Sequence, residues 1–240
     1  MKKAFYLIIV ILVLIGGIFI GIYINKNVSN KNMNLLSEEK EITIPVVGVN
    51  DKNQGILGKL TTTIRPGTGL VLVNINNLLA GYDTQYSART AAHVAANYTK
   101  ISLDNIDIIY SIKTEAQIVA GTSAGSAFAA STIALLENKR INESIAITGA
   151  INEDSTISEI GAVAEKAAVA KKSGMKLFLI PKGNLGGIVE KEKSCIKEGK
   201  MEYCELQYAE KLNKSEYGIP IEEISNIKDA MEYFYNEKTQ

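Results

Sequence analysis

Histidine is nearly missing from this 240-residue chain: there is one, His93. That scarcity argues against a catalytic triad built on imidazole and against a multi-histidine metal centre, since both need rings in defined roles. Cysteine is almost as rare, with Cys195 and Cys204 alone. An excess of either charge is also missing, because 26 basic residues balance 26 acidic ones, and nothing in that balance points to nucleic acid. GxxxxGK[ST] does not occur, nor does GxGxxG between a strand and a helix, so no nucleotide site or other cofactor is expected. What remains is an ordinary globular composition, 46% hydrophobic and 22% charged, which excludes a disordered or coiled-coil chain.

The first long feature is apolar. Residues 4–24, AFYLIIVILVLIGGIFIGIYI, contain no charge, and at about 1.5 Å per helical residue they match about 30 Å of hydrocarbon. Polar Asn25-Lys26-Asn27 follows directly instead of a small-x-small cleavage site, which favours an uncleaved anchor over residues 1–25. The lipid bilayer is therefore an expected partner. The flanking lysines lean towards the amino terminus inside, placing the soluble part outside the cytoplasm. Residues 26–41 are polar and aperiodic and read as a linker.

The folded domain is expected over residues 42–240. Strands are expected at 42–50, 59–67, 69–75, 106–114, 144–151 and 176–181, and helices at 86–98, 123–138, 160–174 and near the C terminus. This order specifies an α/β (α+β) domain with a mixed sheet and helices sharing one core. At about 190–210 lies a charged, cysteine-containing insertion. Cys195 and Cys204 stand nine positions apart in a pattern unlike CxxC or a zinc site, leaving a structural disulfide or free thiols.

Three places carry candidate chemistry. Ser123 stands at the start of a helix, where free N–H groups and the dipole favour developing negative charge, although serine is also a common cap there. Lys166 has apolar neighbours at helical spacing, Ala162, Val163, Val169 and Ala170, so its amine is expected to be desolvated and shifted towards a neutral base; a snorkelling lysine is the plainer alternative. Thr148 ends an apolar strand and needs a partner, which a lysine amine or a turn would provide. Together they supply nucleophile, base and orienter without histidine, the logic of a Ser-Lys dyad.

Ser123-Ala124-Gly125, AITG at 146–149, GAVAEK at 161–166 and KLFLIP at 176–181 resemble the proteolytic domain of Lon-type serine proteases, over roughly residues 42–181. The resemblance implies Ser123 as nucleophile, Lys166 as base and Thr148 as its hydrogen-bonding support. It implies a polypeptide substrate and a homo-oligomeric ring. The sequence departs from the family pattern at Thr122, Ala150 and Ala162, the last in place of a glycine, and it carries no ATPase module. An ATP-independent peptidase acting on unfolded or flexible polypeptide is therefore expected, with a non-catalytic scaffold or a self-processing membrane protein as alternatives.

Overall fold

A computed structural model describes residues 13–20, 38–50, 52–74, 79–115, 118–119, 121–184, 191–198, 201–208 and 217–236. Of the expected anchor, only residues 13–20 fall within these, and they are helical (α1). The rest of the anchor and the linker up to residue 37 lie outside the described residues. Among the described residues no helix is long and apolar enough to cross a membrane.

Alternating side chains organise the first sheet. In the strand Gly55–Pro66 (β2), Leu60, Thr62 and Ile64 are buried while Lys59 and Arg65 are exposed, the two-residue period of a half-buried strand. It pairs antiparallel with Lys40–Val49 (β1) and with Ile106–Thr114 (β5). Val71–Asn74 (β3) then joins β5 in parallel, giving the order β1-β2-β5-β3. β1 and β2 meet in a turn where the Asn50 carboxamide oxygen accepts from the N–H groups of Lys52 and Gln54. β2 begins four residues earlier than its alternation suggests, because Gly55 lies against the backbone of a later helix; packing there overrides glycine's poor strand propensity.

Leu79–Ala80 (β4), which pairs with Ile118–Val119 (β6), precedes the helix Tyr82–Thr99 (α2). The alanine face of α2, including Ala88, Ala91, Ala92 and Ala95, is fully buried, and His93 lies on the exposed side. Gly125–Glu137 (α3) is buried from Gly125 to Leu136, as expected of a helix apolar on every face. Two hydroxyl pairs tie it to the sheet, Thr62 to Ser131 at 2.7 Å and Tyr110 to Thr132 at 2.6 Å, so these four buried hydroxyls are satisfied, whereas the buried Ser126 hydroxyl in the first turn has no hydrogen-bond partner among the described residues.

The second sheet is parallel, with Leu177–Pro181 (β10) between Ile145–Ile147 (β7) and Ile221–Ile224 (β13). Parallel neighbours need a crossover, and Val163–Lys172 (α4) supplies the one from β7 to β10. Val163, Ala167 and Ala170 of α4 share a core cluster with Phe178 and Ile180 of β10 and with Val47 of β1. Ile227–Tyr235 (α5) closes the fold, started by the Asn226 side chain accepting from the Asp229 N–H.

One expectation needs correction. The strand expected at 144–151 is broken at Thr148-Gly149 and resumes as Ala150–Ile151 (β8), paired with Ile157–Ser158 (β9). The charged, cysteine-containing stretch holds two antiparallel strands, Lys191–Glu198 (β11) and Met201–Tyr208 (β12).

Candidate active site

α4 fixes the lysine. Its buried residues are Val163, Lys166, Ala167 and Ala170, the i, i+3, i+4, i+7 spacing of one helical face, so Lys166 cannot turn to solvent without leaving that face. Glu165 sits in the first turn, and Lys171 and Lys172 in the last, where each charge suits the dipole. Only 4% of Lys166 is exposed. Burial pushes its amine down from 10.5 to about 8, with the adjacent Glu165 carboxylate pulling the other way.

The break after β7 fixes the rest. At Thr148-Gly149 the chain leaves the sheet and bonds to the segment leading into α3. The Gly149 N–H donates to the Ser123 carbonyl at 2.9 Å, and the Ser126 N–H donates to the Gly149 carbonyl at 3.0 Å. Thr148 is fully buried. Its hydroxyl donates to the same Ser123 carbonyl at 3.2 Å and accepts from Lys166 Nζ at 3.5 Å. One threonine therefore connects the lysine amine to the backbone of the serine. Because the threonine proton is directed at the carbonyl, the lysine can only donate to this oxygen, which leaves the lone pair of a neutral amine free for another partner.

Ser123 and Lys166 line one cavity of about 110 Å³, room for a side chain or a few waters. Its other walls are Val46 to Val49 at the end of β1, Ile56 and Gly58 of β2, Ile112 and Thr114 of β5, and Gly121 and Ala124 beside the serine. Among the described residues no hydrogen bond joins the Ser123 hydroxyl to the Lys166 amine; the two groups share the cavity. Two residues past Ser123, α3 begins at Gly125 with its amino-terminal dipole end towards the serine. Gly125 permits this approach, since a Cβ there would meet Ser87 Oγ, and Ile151 Cγ2 at 2.7 Å.

The family model for the Lon protease (S16) C-terminal proteolytic domain matches residues 84–214, more than half of the chain. The chain belongs to that family. Ser123, Thr148 and Lys166 all lie inside the matched Lon-type segment, which begins later and ends later than the motifs alone indicated. The mixed α/β fold is the one expected of a Lon proteolytic domain. No curated protein matches the chain.

The wall formed by β1 and β2 was not identified from the sequence. ITIPVV carries a signal in retrospect: it is apolar on consecutive positions, more than a strand with one wet face needs, as expected where the second face looks into a cavity. Asn53, in the β1–β2 turn, donates from Nδ2 to Glu165 Oε1 at 3.2 Å, clamping the hairpin to the residue before Lys166. That contact spans 112 positions and leaves no local trace. Cys195 and Cys204 lie opposite each other on β11 and β12. Among the described residues no group of three histidine, cysteine or carboxylate side chains could hold a metal ion.

Proposed function

We propose that this Lon-type domain is a serine peptidase in which Ser123 is the nucleophile, Lys166 the general base and Thr148 the group that orients the lysine. A buried lysine and a serine that line the same small cavity are the observation that carries this reading. A lysine burdened by desolvation serves acid–base chemistry near neutrality, whereas a purely structural lysine would gain by reaching water. The serine oxygen attacks the scissile carbonyl as its proton passes to the neutral amine. The ammonium then protonates the departing amine, and a water, deprotonated by Lys166, releases the acyl group. N–H groups ahead of α3 are proposed to receive the oxyanion. The missing serine–lysine hydrogen bond fits a resting site, because such contacts often tighten only when substrate excludes water.

The substrates proposed are unfolded or flexible polypeptides, cut without ATP. Residues 4–24 are proposed as a membrane anchor that holds the domain outside the cytoplasm, and a homo-oligomeric ring as its assembly.

Incubating the full chain with casein, with and without ATP, tests the peptidase reading beside Ser123→Ala and Lys166→Ala. Cleavage by the unmodified chain alone, indifferent to ATP, is expected. Equal cleavage by all three would remove the dyad, and no cleavage by any would favour a binding module.

A further inference from the structure

The sequence leaves open whether the two cysteines are a disulfide or free thiols; the register of β11 against β12 bears on that choice. Cys195 of β11 stands directly opposite Cys204 of β12 in the antiparallel register. Directly opposed residues of an antiparallel pair have Cα atoms about 4.5–5.5 Å apart, whichever hydrogen-bonding class the pair falls in. Disulfides accept Cα separations of about 4.4–6.8 Å. A slip of the register by one residue would put Tyr203 or Glu205 opposite Cys195, and Ser194 or Ile196 opposite Cys204; the observed register puts the only two cysteines of the chain together.

We infer that Cys195 and Cys204 are a dithiol site, oxidised to a cross-strand disulfide that staples the β11–β12 hairpin. A two-stranded hairpin is marginal in water by itself, and a covalent link across it removes open conformations from the competing ensemble. The oxidant is a disulfide-bearing molecule, either an oxidoreductase or a low-molecular-weight disulfide. One cysteine thiolate attacks it, giving a mixed disulfide and releasing one thiol; the second cysteine thiolate attacks the mixed disulfide, forming the internal S–S bond and releasing the second thiol. Two electrons pass from the hairpin to the oxidant. The inference stands apart from the peptidase reading, because it rests on the β11–β12 register alone.

The test equilibrates the full chain, carrying Ser123→Ala so that it cannot cut itself, with mixtures of reduced and oxidised glutathione, approached from both directions. After acid quenching and alkylation, intact mass and peptide mapping read the products. The expected product is lighter than the dithiol by two hydrogens, with 195 and 204 joined within one chain and neither alkylated. Cys195→Ser is expected to take up one glutathione at Cys204 instead. Glutathione held on both cysteines of the parent chain, a link between two chains, or a dithiol that persists where Cys204 of Cys195→Ser is already modified would each overturn the inference.

Discussion

The Thr148 hydroxyl stands between Lys166 and the backbone of Ser123, accepting from Nζ at 3.5 Å while donating to the Ser123 carbonyl at 3.2 Å. Thr148→Val keeps the volume and removes both bonds. Losing a net hydrogen bond of about 1 kcal/mol is expected to lower stability by a similar amount, and losing the orientation of the amine to lower kcat about tenfold with little change in KM. Steady-state kinetics on an unstructured peptide, beside urea unfolding, separate the two effects. A variant with unchanged kcat would leave Thr148 a structural residue only.

The buried amine sets a pH dependence. With its pKa pushed down to about 8, Lys166 is neutral in about a tenth of molecules at pH 7, so kcat/KM is expected to rise through pH 8 instead of near 10.5. Lys166→Arg, charged throughout, should remove the rising limb and about 10³-fold or more of the activity. The stability effect has the opposite origin. Folding lowers this pKa, so between about 8 and 10.5 the unfolded chain binds more protons and stability rises with pH. The cost of burying the ammonium is fully present below about 8, roughly 3 kcal/mol by that shift. Lys166→Met should therefore raise the unfolding midpoint at pH 7 while abolishing cleavage. A midpoint that falls instead would mean that the ammonium is satisfied where it lies.

Local pattern made the lysine and the serine legible, and long-range contact hid the rest. Lys166 could be placed on the buried face of α4 because helical spacing depends only on neighbours in the sequence. The start of β2 could not, since Gly55 reads as a turn residue until a helix beginning more than a hundred positions later is packed against it, and Gly58 until Val46 of β1 and Lys113 and Thr114 of β5 close on it. The break at Thr148-Gly149 was partly legible. Thr148 reads as the end of an apolar stretch, but only hydrogen bonds to Ser123 and Ser126 reveal why the strand stops there.

Ala162 enters α4 with φ 58° and ψ 41°, left-handed backbone that glycine tolerates and alanine does not. The position is the one where the family motif implies glycine. Its carbonyl accepts from the Lys166 N–H at 3.1 Å, so the strained residue also begins the turn that carries the base. Ala162→Gly should raise stability by about 1 kcal/mol, the strain relieved less the added freedom of the unfolded chain. Urea unfolding at constant m-value checks it. A loss of stability would show that the alanine methyl makes contacts worth more than the strain.

Gly55 allows β2 to lie on α4. A Cβ there would fall on the Glu165 carbonyl oxygen and come within 3.1 Å of Val169 Cβ. A backbone carbonyl in the first turn of a helix cannot swing aside as a flexible side chain can, so Gly55→Ala must either lift the hairpin or push α4. Lifting the hairpin breaks the Asn53–Glu165 hydrogen bond and withdraws the Val46 to Val49 wall; pushing α4 moves Lys166, the next residue along. Overpacking of this kind costs about 1–3 kcal/mol. Gly48→Ala is the stability control, because its Cβ would meet only the Ile56 side chain, at an ordinary 3.7 Å. Urea midpoints are expected to fall for Gly55→Ala and to stay within about 0.5 kcal/mol of the parent for Gly48→Ala. Either route also disturbs the cavity, so peptide cleavage by Gly55→Ala should drop under conditions where the chain is still fully folded. Equal midpoints for the two variants would show that the hairpin is not clamped on α4, and the Ser123 cavity would then lack its fixed wall.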